Sequence, residues 1–207
     1  MKHPILRDLF AEWTRLKGNG RAPERAMLSP AAIPGVLPDA VVLAFDPAAG
    51  HPVRVAGSRV CALFGRELRG HGLVALFEPA ERAAAAALVE GIADAQLPAL
   101  AALVGRSASH GELDLQLLLL PLRVDGETHE RLLGGLVGTA LPWWLARDPV
   151  RSLRIRSLRN LQDPRSLQSP REMQDPHDLR HPREAGAAPA RSLANFMNAP
   201  QRKLTRC

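Results

Sequence analysis

Leu6, Leu9, Trp13 and Leu16 recur at i, i+3, i+7 and i+10, and this spacing predicts an amphipathic helix over residues 4–17. Arg7, Asp8, Glu12 and Arg15 take its other side, Pro4 suits the first turn, and Gly18 with Gly20 ends it. Such a helix cannot bury its stripe alone, so it must pack on the domain or on a second chain. Residues 21–38 are rich in proline, and Ser29 to Leu37 reads as one short helix with Ser29 as cap and Pro30 in the first turn.

After Pro38 the period changes to that of strands. Residues 39–46 read as a first strand and 53–56 as a second, joined by a turn rich in Pro, Gly and Asp. Ser58 opens a short helix carrying Val60, Cys61, Leu63 and Phe64. Residues 79–96 read as a long helix, with Pro79 at its start and an alanine run from Ala83 to Ala87. Leu88 and Ile92, four apart, can anchor it to a sheet. Three strands follow over 99–106, 112–123 and 131–141, with Asp125-Gly126 as the hairpin signal between the last two. Gly134, Gly135 and Gly138 weaken the final strand and mark a bulge or a close approach of its backbone to a ligand. The expected fold is α+β: a five-stranded antiparallel sheet with helices on one face, preceded by the amphipathic helix. The boundaries that follow are 1–38 for the helix and its Pro-rich connector, 39–148 for the sheet domain and 149–207 for a basic disordered tail.

Charge sharpens that last boundary. Residues 1–148 hold 15 Lys and Arg against 16 Asp and Glu, whereas residues 149–207 hold 12 against 5. The net charge of +6 therefore belongs to the tail, where Arg-Ser-Leu recurs at Arg151, Arg156, Arg165 and Arg191 among seven prolines. Arg151 to Leu161 could extend as strand or helix; the remainder has too little apolar surface to offset its chain entropy. Two cysteines, Cys61 and Cys207, make no disulfide framework. The first residues lack the continuous apolar core of a secretory signal, and no apolar run approaches a membrane span, so a cytoplasmic location is expected.

The order of elements resembles that of a PAS domain, and the local sequence resembles a bacterial PAS subfamily common in alphaproteobacteria. Trp13-Thr14-Arg15-Leu16, Leu37-Pro38-Asp39 and the segment Val53 to Gly70 carry the resemblance. That segment reads Val-Arg-Val-Ala-Gly-Ser-Arg-Val, then Phe-Gly-Arg-Glu-Leu-Arg-Gly from Phe64 to Gly70. The resemblance extends more weakly over residues 5–145. It implies a sensory or protein-interaction module without a catalytic residue set, working with a partner signalling protein. It implies a pocket near Phe64, Leu76 and Phe77, residues that would equally fill the core, and His71, between Gly70 and Gly72, is the histidine nearest to it.

Haem is disfavoured because the long helix contains no histidine to serve as axial ligand. Flavin is disfavoured because Cys61 sits between Val60 and Ala62, not in the Asn-Cys-Arg-Phe motif of light-sensing relatives. A reactive thiol or redox sensor is the alternative, and a buried, inert small hydrophobe is the better reading of Cys61. Trp143-Trp144 can cover the sheet edge, dock a partner or pack on the first helix. No nucleotide-binding loop, hydrolase elbow, metalloprotease motif or metal-ligand spacing appears, so neither a catalytic residue nor a metal ligand is assigned. The leading expectation is a non-catalytic sensor that binds a small ligand or a partner and forms a homodimer through its N-terminal helix. The alternative is an adaptor whose tail binds nucleic acid or a membrane surface. Nucleic acid is the weaker partner, since Phe196 is the tail's only aromatic available for stacking on bases.

Overall fold

The computed structural model describes Met1, residues 3–140 and residues 142–161. The chain divides into two units, Met1–Ser169 and Pro170–Cys207, and the described residues all lie in the first. In chain order the elements are α1 (Pro4–Lys17), β1 (Ala40–Ala44), β2 (Val53–Ala56), α2 (Ser58–Phe64), α3 (Arg82–Ala95), β3 (Ala99–Arg106), β4 (Glu112–Val124), β5 (Glu127–Gly138) and β6 (Ser152–Asn160). Short 3-10 turns occupy the connections. Ser29 to Leu37 is not one helix: Pro30–Ala32 and Leu37–Asp39 are separate 3-10 turns, and Ser29 makes no side-chain cap. The long helix also starts later than expected, because Pro79–Glu81 forms a 3-10 turn before α3.

The strands form one antiparallel sheet in the order β2-β1-β5-β4-β3-β6. Asp125 and Gly126 both take positive φ, 51° and 89°, which is the backbone of a two-residue hairpin turn between β4 and β5. That tight turn lets β5 begin at Glu127, four residues before the expected Arg131.

The sheet has six strands, not five. β6 falls within the segment expected to be a disordered tail, and it pairs with β3 over its length. The sequence leaves Arg151 to Leu161 open as strand or helix because this is an edge strand with four arginines in and beside it: Arg151, Arg154, Arg156 and Arg159. A register shift opposite Ala102 and Leu103 also breaks its alternation between Ile155 and Leu158. Two of those charges are locally matched, Arg154 to Glu112 at 3.4 Å and Arg156 to Asp114 at 2.8 Å across β3. The rest of the expected tail, from Gln162 onward, lies outside the described residues.

Period-two alternation sends the sheet's side chains to two faces. The inner face carries Val41, Leu43, Leu103, Leu115, Leu117, Leu132 and Leu136, and α2, the turn at Leu73–Leu76 and α3 close over it. The outer face carries Leu100, Leu118, Leu120, Leu133 and Val137, and α1 lies across it. Leu6, Leu9 and Trp13 are essentially inaccessible there. The apolar stripe of α1 therefore packs on its own sheet, the first of the two options open to it. Each such leucine contributes about 2 kcal/mol of burial. The Trp13 indole N–H donates to the Pro121 carbonyl at 2.9 Å. Pro121 is tolerated because it lies beyond Leu119, the last residue of β4 opposite β3.

Candidate functional site

The segment Val53 to Gly70 is a fastening. Gly57 N–H donates to the Ala40 carbonyl at 2.8 Å, and a Cβ at Gly57 would overlap the backbone of Leu37 and Pro38. Only glycine lets the start of α2 approach that turn so closely. One residue into α2, Arg59 pairs with the buried Asp39 at 2.7 Å. The two sequence stretches that looked most alike to one family, Leu37-Pro38-Asp39 and Ala56-Gly57-Ser58-Arg59, thus meet in space. At the far end of α2, Gly65 adopts φ +62°, and the Glu67 carboxylate accepts N–H groups from Leu68 and Arg69 at 2.9 and 3.0 Å. Those two bonds hold the Glu67 carboxyl below the usual carboxylate range, the Arg69 N–H contributing most.

α2 delivers Phe64 to the inner core, and the following turn delivers Leu76 and Phe77; all three are buried in one apolar cluster. The structure does not bring His71 to them. Its side chain is exposed, and its backbone carbonyl accepts the Val53 N–H at 2.9 Å. The histidine that does enter this layer is His51, in the turn between β1 and β2, fully buried and in contact with the Phe45 ring at 5.1 Å between centroids.

His51 is held by specific geometry. Its φ is +57°, its N–H donates to the Asp46 carbonyl at 2.8 Å, and its own carbonyl accepts the Leu73 N–H at 3.1 Å. The Asp46 N–H points at its Nδ1 from 3.3 Å, so Nδ1 is the acceptor and the proton of the neutral ring sits on Nε2. That Nε2 is buried and unpaired, with the nearest carboxylate oxygen, Glu90 Oε1 of α3, 4.0 Å away. Burial pushes the His51 pKa down, against a smaller upward pull from Glu90 and Asp46. A buried donor left without a partner costs about 1–3 kcal/mol. No local signal marks this burial: His51 lies between Gly50 and Pro52 in a turn rich in Pro, Gly and Asp.

Cys61, on α2, is half-buried, and burial is the largest of the influences raising its thiol pKa. The thiol stays protonated at neutral pH, which suits packing better than nucleophilic chemistry. A second polar cluster lies beyond the β3–β4 hairpin. Asp148 accepts the backbone N–H groups of Ala108, Ser109 and His110 and the His110 Nδ1 at 2.9 Å. The His110 bond is the largest of the influences that hold the Asp148 carboxyl far below its usual range. The His110 ring stacks on Trp144 and meets Trp143 edge-on, and Trp143 is 78% exposed. Among the described residues, no group of three or more His, Cys, Asp and Glu is placed to hold a metal ion.

The elements define an α+β domain: an antiparallel sheet covered on one face by short helices. The family model described as "PAS domain" matches residues 1–137, and the chain belongs to that family. β6 follows the matched stretch. Among solved structures, the LOV protein of Rhodobacter sphaeroides is similar at 15% identity and a TM-score of 0.35, over 52% of this chain and 62% of that one. An RNA-binding light-oxygen-voltage receptor is similar at 21% identity and a TM-score of 0.38, over 56% of this chain and 35% of that one. The chain spans less than two thirds of either structure. No curated protein matches it.

Proposed function

We propose that the chain is a non-catalytic sensory module in which a small ligand held at the inner face of the sheet alters the seat of α1 on the outer face. One observation supports this most directly. Adjacent glycines on the central strand β5 face opposite layers. A Cβ on Gly134 would lie 2.8 Å from Val41 of the inner cluster, and one on Gly135 would lie 2.7 Å from Leu6 of α1. With no side chain at either position, α1 and the inner layer rest almost directly on the two sides of one backbone. A shift of β5 in response to a ligand is thereby felt by α1, which is population shift in a packed, bistable layer.

In this reading Phe64, Leu76 and Phe77 form the apolar wall of the ligand site, and the unpaired Nε2–H of His51 is its polar anchor. His71 supplies backbone to the wall and no side-chain contact. Haem and flavin stay disfavoured on the residue grounds given above. The output passes to a partner signalling protein in the cytoplasm. The homodimer expected through α1 would form through its solvent face, where Arg7, Asp8 and Ala11 are exposed, because Leu6, Leu9 and Trp13 already rest on their own sheet.

Native mass spectrometry of the purified full chain, with an absorption spectrum and hydrogen exchange on the same sample, tests this. A bound small molecule that leaves on unfolding, and whose removal speeds exchange along α1, is the expected result. A chain that neither carries nor takes up a ligand, with α1 exchange indifferent to changes at the inner face, overturns it.

A further inference from the structure

Away from the inner face, a cavity of about 490 Å³ opens between the C-terminal turn of α1, the loop that follows it, the α3–β3 connection and the end of β6. It lies beside α1, and its volume is within the range of small-molecule sites. Phe10, Trp13, Leu97 and Leu161 give it an apolar lining, with the Phe10 and Trp13 rings stacked 6.0 Å apart. Lys17 and Arg21 are its charged residues, and among the described residues no acidic one lines it.

The two cations differ in their commitments. Lys17 Nζ donates to the carbonyls of Gly18 and Gly20 at 3.2 and 3.3 Å and stands 5.9 Å over the Trp13 ring. These contacts hold the ammonium at the cleft, and among the described residues it has no ion pair. Arg21 is exposed, and among the described residues it has no ion pair or hydrogen bond. An apolar cleft bordered by two positive charges and no negative one is complementary to one kind of molecule: an apolar chain ending in an anion.

We propose that this cleft binds a free medium-chain carboxylate. The chain lies on Phe10, Leu97 and Leu161 beside the Trp13 edge, and the carboxylate is held between Lys17 and Arg21. The site is separate from the inner face and does not depend on a ligand there. It places a chemical input directly on α1.

Trp13 supplies the readout. In a full-length chain carrying Trp143→Phe and Trp144→Phe, Trp13 is the only indole, and its emission is followed while monomeric decanoate is added. A saturable change is expected. Lys17→Glu with Arg21→Glu should weaken decanoate by about tenfold, the effect of losing two partly exposed charge pairs. Decanol should bind more weakly than decanoate by a similar factor. Arg21→Glu alone, at an exposed and unpaired position, should show a smaller loss in the same direction with the thermal midpoint unchanged, which separates lost binding from lost folding. Decanol or decyltrimethylammonium binding as well as decanoate would show apolar adsorption only and overturn the proposal. So would undiminished decanoate binding by the charge-reversed chain. An unresponsive Trp13 overturns it too, whether the cleft is empty or filled by the chain's own terminal residues or by a second copy.

Discussion

The two faces of the sheet are buried by different means. The inner face is closed by several short pieces, α2, the 3-10 turn at Leu73–Leu76 and α3, tied by backbone hydrogen bonds and by the Arg59–Asp39 pair. The outer face is covered chiefly by one continuous helix, seated through Leu6, Leu9 and Trp13 and one indole hydrogen bond, with Ala22 and Val36 of the connector that follows buried beside it. A layer of many small pieces distributes its energy over many residues. A single helix concentrates it, so α1 is the element that can move as a unit without dismantling the core.

The sharpest way to break this contrast is at Trp13. Trp13→Ala is expected to cost about 3–5 kcal/mol in urea unfolding, because it removes a fully buried indole and strands the Pro121 carbonyl. A loss below about 1 kcal/mol would mean that α1 is not seated as described. Next comes Gly57→Ala. Its Cβ meets backbone, which cannot rotate away, so a loss of about 1–3 kcal/mol is expected with α2 displaced. An unchanged melting temperature would contradict the fastening role given to this segment.

The smallest effect is a pH dependence at His51. Its folded-state pKa is depressed by burial, so its contribution to stability is complete above the ordinary imidazole value of about 6.5. As pH falls from there toward the folded-state pKa, the unfolded chain takes up the proton first and stability declines. His51→Asn, which tolerates the positive φ, should flatten that part of the profile measured by urea midpoints between pH 7.5 and 5. An identical slope in the variant would assign the titration to another group.

Much of this architecture is written in periodicity. The stripe Leu6, Leu9, Trp13 and the alternation of Leu113, Leu115 and Leu117 are direct records of which side each residue faces. Asp125-Gly126 likewise specifies its own turn, since both residues adopt the positive φ it requires. β6 was legible only as far as an extension of undecided type over Arg151 to Leu161, for a physical reason: an edge strand buries one side of a few residues, so its arginines outweigh Leu153 and Ile155. The candidate site was legible only for its apolar members. Phe64, Leu76 and Phe77 are hydrophobic residues at element ends, and such residues are buried whichever fold forms. His51 differs because its burial depends on a turn folding inward beneath Leu73 and against α3, a tertiary event without a local signature. His71, flanked by glycines, was the histidine expected nearest the pocket, and it faces solvent.

The central claim is that β5 couples the two faces. Leu132 is fully buried on the inner face of β5, next in sequence to Leu133 on the outer face, and it does not belong to the cluster under α1. Hydrogen exchange of the α1 amides in a Leu132→Ala chain, under conditions where it remains folded, reads the coupling directly. Faster exchange along Leu9 to Leu16, with β3 and β6 protected as in the unmodified chain, is the predicted result. Protection of α1 that is unchanged, or lost only together with the whole sheet, would contradict the account.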